Sequence, residues 1–240
     1  MRDYIQGTRH PWPSLFFLLP LLVAYEAGVL WLGGTHPESL RNGADSWLRN
    51  GLDSVGLYHL YWPPLLIALI FMIWSLARLN DRPAGMTSLF TGMVVESIVF
   101  ALALWWFGRA LQPIMDQFGI ELTMSIPPHQ ALGQVISFVG AGIYEEILFR
   151  LGLFTALIWF CRWLWMPAHV DATLAAIISG ALFSYAHHLP PNGEPFNDYV
   201  FLFRMAAGIY FAAVYRLRGF GVAVGTHALY DVLVGVVLES

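Results

Sequence analysis

The sequence is short of charge. Asp, Glu, Lys and Arg together make up 12% of its 240 residues, against roughly 25% in soluble domains. Hydrophobic residues make up 58%, so the chain cannot cover itself with a solvated surface, and the excess apolar area calls for lipid. Lysine is missing altogether; all twelve basic residues are arginine. The net charge of −4 leaves no electrostatic footprint for nucleic acid. A single cysteine, Cys161, excludes an internal disulfide. In its apolar run it reads as a small core or lipid-facing residue. Two hydrolase signatures are also absent: no H-E-x-x-H helix for zinc and no G-x-S-x-G elbow for a serine nucleophile.

What is there is a series of apolar stretches, each near the roughly 20 residues a membrane span needs. They are Ser14–Gly33, Tyr61–Leu79, Leu89–Leu111, Ala131–Trp165, Ala172–His188, Tyr199–Tyr215 and Phe220–Leu238. Arg2 and Arg9 precede the first, which lacks an A-x-A-like site and reads as a retained span rather than a cleaved signal. Pro63 and Pro64 fall in the first turn of the second, where a missing N–H is tolerated. The fourth is long for one helix and short for two, so a long, tilted or broken helix is expected there. Polar loops separate the spans. Gly34 to about His59 reads as an external loop with a short interfacial helix, and Gln112–Gln130 and Leu189–Asp198 as further loops. Arg216-Leu217-Arg218-Gly219 reads as a tight turn.

Charge placement orients this series. Arginine and lysine accumulate in short cytoplasmic loops. With the N-terminus inside, Arg2, Arg9, Arg78, Arg82, Arg162, Arg216 and Arg218 all fall inside. The loops carrying Asp116/Glu121 and Glu194/Asp198 fall outside, and Arg41 and Arg49 in the first external loop are offset by Glu38, Asp45 and Asp53. The expectation is an all-α, polytopic transmembrane helical bundle of about seven spans, eight if residues 131–165 cross twice. It forms one integral membrane domain. Residues 1–130 supply three N-terminal spans and their loops, and residues 131–240 the helices that carry the chemistry. The expected location is a bacterial inner membrane, with the N-terminus cytoplasmic.

Ionisable groups inside spans are costly and mark function by default. Most of them fall into three short patterns. In Glu145-Glu146-Ile147-Leu148-Phe149-Arg150, Glu146 and Arg150 are at i and i+4 in the favourable order for an ion pair. Glu145 points about 100° away around the helix and is left for another partner. In Phe183-Ser184-Tyr185-Ala186-His187-His188, Phe183 and His187 share a helix face. In His227-Ala228-Leu229-Tyr230-Asp231, His227 and Asp231 again stand at i and i+4, where the acid can orient the imidazole. Each pattern alone reads equally well as helix-to-helix glue. A free carboxylate, a histidine and a His/Asp pair on three spans make a polar pocket if the spans converge. Such groups can take a proton from water and stabilise an oxyanion, or ligate zinc. Glu26, Glu96 and Arg204 read as structural partners.

E-E-x-x-x-R, then F-x-x-x-H, then H-x-x-x-N/D, in this order on successive spans, resembles the CPBP family. That family includes the eukaryotic CAAX prenyl endopeptidases and bacterial Abi-type proteins. The resemblance covers Glu145 to Asp231 and implies a membrane-embedded endopeptidase. It implies that Glu145 and His187 activate water, and that His227 and Asp231 bind the oxyanion or support the site, with Glu146, Arg150 and Phe183 as structural support. The expected partners are the lipid bilayer and a membrane protein or lipidated peptide as substrate. One position departs: the prenyl endopeptidases have Asn where this chain has Asp231, and an ionised Asp cannot donate to an oxyanion. Asp231 is then protonated, or orients His227, or ligates a metal. A metal-free site is favoured, with zinc on Glu145, His187 and His227 as the alternative. Two other readings come from different classes. One is a non-catalytic membrane scaffold or immunity protein. The other is a transporter with a midplane polar site, which should show repeats or paired broken spans; the sequence shows neither.

Overall fold

The computed structural model describes residues 2–57, 61–116, 131–190 and 193–237. All the regular structure among them is helical, as a chain in lipid requires, because helices satisfy their own backbone. A short α1 (Arg2–Thr8) leads to α2 (Pro11–Gly33). The start of α2 is fixed by Pro11 in its first turn and by the His10 ring, which accepts from the Trp12 backbone N–H. A 3-10 turn (Pro37–Leu40) and α3 (Gly43–Ser54) follow, then α4 (Trp62–Ala77) and α5 (Met86–Asp116). Next come α6 (Ala131–Glu146), a π-helical segment (Ile147–Phe154) and α7 (Thr155–Trp163). The last three are α8 (Ala168–Ala186), α9 (Asp198–Arg218) and α10 (Phe220–Val232), the last continued by a π turn (Leu233–Val237).

Five of these helical stretches, α2, α5, α8, α9 and α10 with its π turn, are long and apolar enough to cross a membrane; α4 is a shorter apolar helix. Residues 131–163 are one continuous helix: Glu146 and Phe154, at the junctions with the π segment, both have right-handed helical dihedrals. At 1.5 Å per residue it is about 50 Å long, enough to cross once with tilt. Residues 131–163 thus form one helix rather than two. The loop expected from Gly34 to about His59 does hold a helix, α3. Two helices run past their apolar stretches. α5 runs on to Asp116 through residues read as loop, and the rest of that loop, residues 117–130, lies outside the described residues. The expected turn at Arg216-Leu217-Arg218-Gly219 is corrected. α9 continues through Arg218, and Gly219 alone, at φ 98°, reverses the chain. The helix survives two arginines because Arg218 folds back onto the carboxylate of Glu96 in α5.

The centre of the bundle is α10. Every residue from Phe220 to Ala228 is buried, and the helix packs against α2, α5, α6 and α9. Small residues permit this closeness, as is usual between membrane helices. A Cβ on Gly142 of α6 would lie 2.8 Å from the Ala228 backbone N of α10. One on Gly208 of α9 would lie 2.8 Å from the Gly180 Cα of α8. These two contacts set α6, α8, α9 and α10 around one point. Large apolar side chains such as Val23, Trp31, Leu65, Ile73, Val99 and Trp159 are exposed on the outside of the bundle, where lipid is their solvent.

Candidate active site

The three sequence patterns meet at that point. Glu145 is in the last turn of α6. His187 caps the C-terminus of α8. His227 and Asp231 lie on one face of α10. The Gly142–Ala228 contact, one turn before Glu145, brings α6 against α10 and so places both glutamates beside His227.

The two glutamates divide as their spacing suggested. Glu146 is fully buried, and its Oε2 lies 3.2 Å from Nε of buried Arg150. The guanidinium also donates to the Gly208 carbonyl at 3.4 Å, and lies 4.3 Å from the ring centroid of Phe183 and 5.3 Å from that of Phe211. Such cation–π contacts suit a desolvated cation. Glu145 points the other way. Its Oε2 is buried, has no hydrogen-bond donor among the described residues, and faces two imidazoles: His187 Nε2 at 3.7 Å and His227 Nε2 at 3.8 Å. Buried polar atoms are nearly always satisfied, so an orphan of this kind asks for an explanation.

The second nitrogen of each ring is fixed. His187 Nδ1 lies 2.9 Å from the Phe183 carbonyl, and a carbonyl only accepts, so Nδ1 carries the proton and Nε2 turns toward Glu145. The Phe183 ring packs edge-on against the same imidazole, at 5.0 Å between centroids. His227 Nδ1 lies 2.8 Å from Glu146 Oε1, and its ring stacks on Phe211 at 4.4 Å. Its Nε2 faces Asp231 Oδ2 at 3.4 Å. Asp231 therefore meets His227 on the nitrogen facing Glu145, and the orienting carboxylate on the far nitrogen is Glu146. That contact joins residues 81 apart and has no local signature in the chain. Phe211, in a plain apolar run, was equally invisible.

Beyond this pocket several charged groups are paired. Glu26 takes Arg41 at 3.2 Å, Arg49 at 3.0 Å and the Tyr144 hydroxyl at 2.8 Å. Asp45 takes the same two arginines and the Tyr25 hydroxyl. Arg204 is doubly bonded to Glu194 in the loop after His187. Glu26, Glu96 and Arg204 thus have structural partners, as expected. No set of three or more His, Cys, Asp or Glu among the described residues is arranged to hold a metal ion.

The pocket combines a carboxylate whose buried Oε2 has no hydrogen-bond donor among the described residues with two oriented imidazoles inside an apolar bundle, a constellation suited to hydrolysis. Residues 127–233 match the family model described as type II CAAX prenyl endopeptidase Rce1-like. The segment carrying the whole pocket is therefore similar to the CAAX-protease (CPBP) family. No curated protein and no solved structure matches the chain.

Proposed function

We propose that the protein is an intramembrane endopeptidase that hydrolyses peptide bonds in membrane-associated substrates with water activated by Glu145 and His187. The observation that carries the reading is the position of Glu145 Oε2 between two imidazole nitrogens, 3.7 Å from His187 and 3.8 Å from His227. These separations are too long for direct hydrogen bonds and suit polar groups that share one water. The carboxylate of Glu145 and Nε2 of His187 polarise that water and accept its proton as its oxygen bonds to the scissile carbonyl carbon. A protonated His227 Nε2 donates to the oxyanion that forms. The captured proton then passes to the leaving nitrogen as the carbon–nitrogen bond breaks.

Glu146 and Arg150 serve this chemistry at one remove. Glu146 holds Nδ1 of His227, so that Nε2 points into the pocket. Arg150 balances Glu146. Asp231, beside His227 Nε2, keeps a proton on that nitrogen in a role that Asn would meet by donating directly. The pocket works without a metal in this reading, because Arg150 already supplies fixed positive charge. The substrate is a membrane-anchored protein or a lipidated peptide, consistent with the family model's name. Purified protein in bilayers should cleave membrane-protein substrates, and Glu145→Ala and His187→Ala should each remove that activity. Full activity in either variant would dismiss the reading.

A further inference from the structure

A second cleft, of about 250 Å³, is lined by none of the residues that form the pocket around Glu145. It forms where helices stop. α2 begins there at Pro11, α4 ends at Ala77, α7 at Trp163 and α9 at Arg218. Three arginines line it, Arg9, Arg162 and Arg216, and no aspartate or glutamate among the described residues does. Arg162 has a partner, the buried Asp171 of α8 at 2.9 Å. Arg9 and Arg216 form no hydrogen bond or ion pair with any described residue. Other arginines near the same helix ends do find partners: Arg78 pairs with Asp81, and Arg218 with Glu96. Arg216 is half-buried in the last turn of α9. A cation partly withdrawn from water at the edge of an apolar bundle calls for a counter-charge.

The rest of the wall is largely apolar. Phe154, Ile158 and Phe220 are buried there, with Trp74 beside them and Trp159 at the opening, 72% exposed. The hydroxyls of Thr155 and Tyr215 lie 3.3 Å apart, and Thr155 donates to the Arg150 carbonyl at 3.0 Å. The guanidiniums are left as the charged donors. Trp163 and Trp165, further along the same stretch as Trp159, are exposed too. Tryptophans in such positions gather at the level of the lipid headgroups. An occupant of the cleft therefore needs an anionic head for the arginines and an apolar body that passes Trp159 into the bilayer.

We infer that this cleft binds the phosphate headgroup of an anionic phospholipid. Arg9 and Arg216 hold the phosphate, with Arg162 beside them. The acyl chains lie along exposed apolar side chains such as Ile73 and Leu76 of α4 and Phe160 of α7. Arginine suits the task, because its planar fork donates to phosphate oxygens in pairs. The inference is independent of the endopeptidase reading and holds whether or not the protein cleaves peptides.

Native mass spectrometry of the purified protein in detergent tests it. Phosphatidylglycerol, phosphatidylcholine and inorganic phosphate are titrated separately. The wild type should hold phosphatidylglycerol more tightly than phosphatidylcholine. Arg9→Gln and Arg216→Gln should each weaken that binding about fivefold. Arg109→Gln should leave it unchanged, since Arg109 is exposed on α5, about 35 Å along the helix axis from Met86 at the start of α5. Equal binding of the two lipids by the wild type overturns the inference, and so does a preference that survives loss of both Arg9 and Arg216. Binding of inorganic phosphate with no preference between the lipids would assign the arginines to a soluble anion and equally overturn it. Should Arg216→Gln fail to fold, Arg9→Gln, at an exposed position before α2, carries the same test.

Discussion

Glu146 Oε1 holds His227 Nδ1 at 2.8 Å, while Oε2 of the same carboxylate faces Arg150 at 3.2 Å. One buried acid thus ties an imidazole on α10 to a guanidinium in the π segment after α6. Glu146→Gln should leave Arg150 without its charge partner in an apolar setting. Breaking a buried pair costs about 3–5 kcal/mol. Thermal unfolding in detergent should show a marked drop in midpoint, and activity should fall with it. An unchanged midpoint would mean that the pair does not stabilise the bundle.

The close contact of α6 with α10 makes a second prediction. Gly142→Ala places a methyl group 2.8 Å from the Ala228 backbone N, where neither helix can yield without moving. Overpacking of this kind costs about 1–3 kcal/mol, more than the helix propensity that alanine gains. On the same helix, Gly133→Ala meets only the Leu40 side chain at 3.4 Å and should be neutral or slightly stabilising. Parallel melting curves of the two variants check the contrast.

The loop after His187 is expected to respond to acid. Burial alone would raise the pKa of Glu194, but hydrogen bonds and charge from Arg204, with His187 and His188, outweigh it and hold the carboxyl below its ordinary range. A depressed carboxylate stabilises the fold above its unfolded value, and this contribution is lost as pH falls through the folded one. Acid should therefore release Arg204 and loosen the segment beside His187. Glu194→Gln should reproduce at neutral pH the hydrogen-exchange profile that the wild type shows in acid. Identical wild-type profiles at neutral and acid pH would contradict it.

Metal removal distinguishes the two forms of water activation. Prolonged treatment with a strong chelator, checked by elemental analysis, should leave activity intact. Stoichiometric zinc, with activity lost on chelation and restored by zinc, would replace the metal-free account with one in which Glu145, His187 and His227 are ligands.

Much of this was legible in the sequence for physical reasons. Spans are visible because lipid demands apolar length. Glu145 and Glu146 separate because neighbours on a helix point apart. What stayed hidden depends on contacts distant in the chain. Nothing in Ile147-Leu148-Phe149-Arg150-Leu151-Gly152-Leu153-Phe154 marks it as π rather than α, and π segments often accompany functional sites. The reach of Glu146 to His227 follows only once Gly142 and Ala228 touch. The ends of α5 and α9 were misplaced because polar residues read as loop. Arg218 shows how a charge can instead prolong a helix, by finding Glu96.

The most direct test of the account compares turnover with stability in Glu145→Gln. The substitution keeps the shape of the side chain and removes the carboxylate that faces both imidazoles, in a position with no ion pair to arginine among the described residues. Cleavage of a membrane-protein substrate in bilayers and thermal unfolding should be measured on the same preparation. The account predicts that cleavage is abolished while the unfolding midpoint stays at or above that of the wild type. Retained cleavage, or a stability loss matching that of Glu146→Gln, would contradict it and reduce Glu145 to a structural residue.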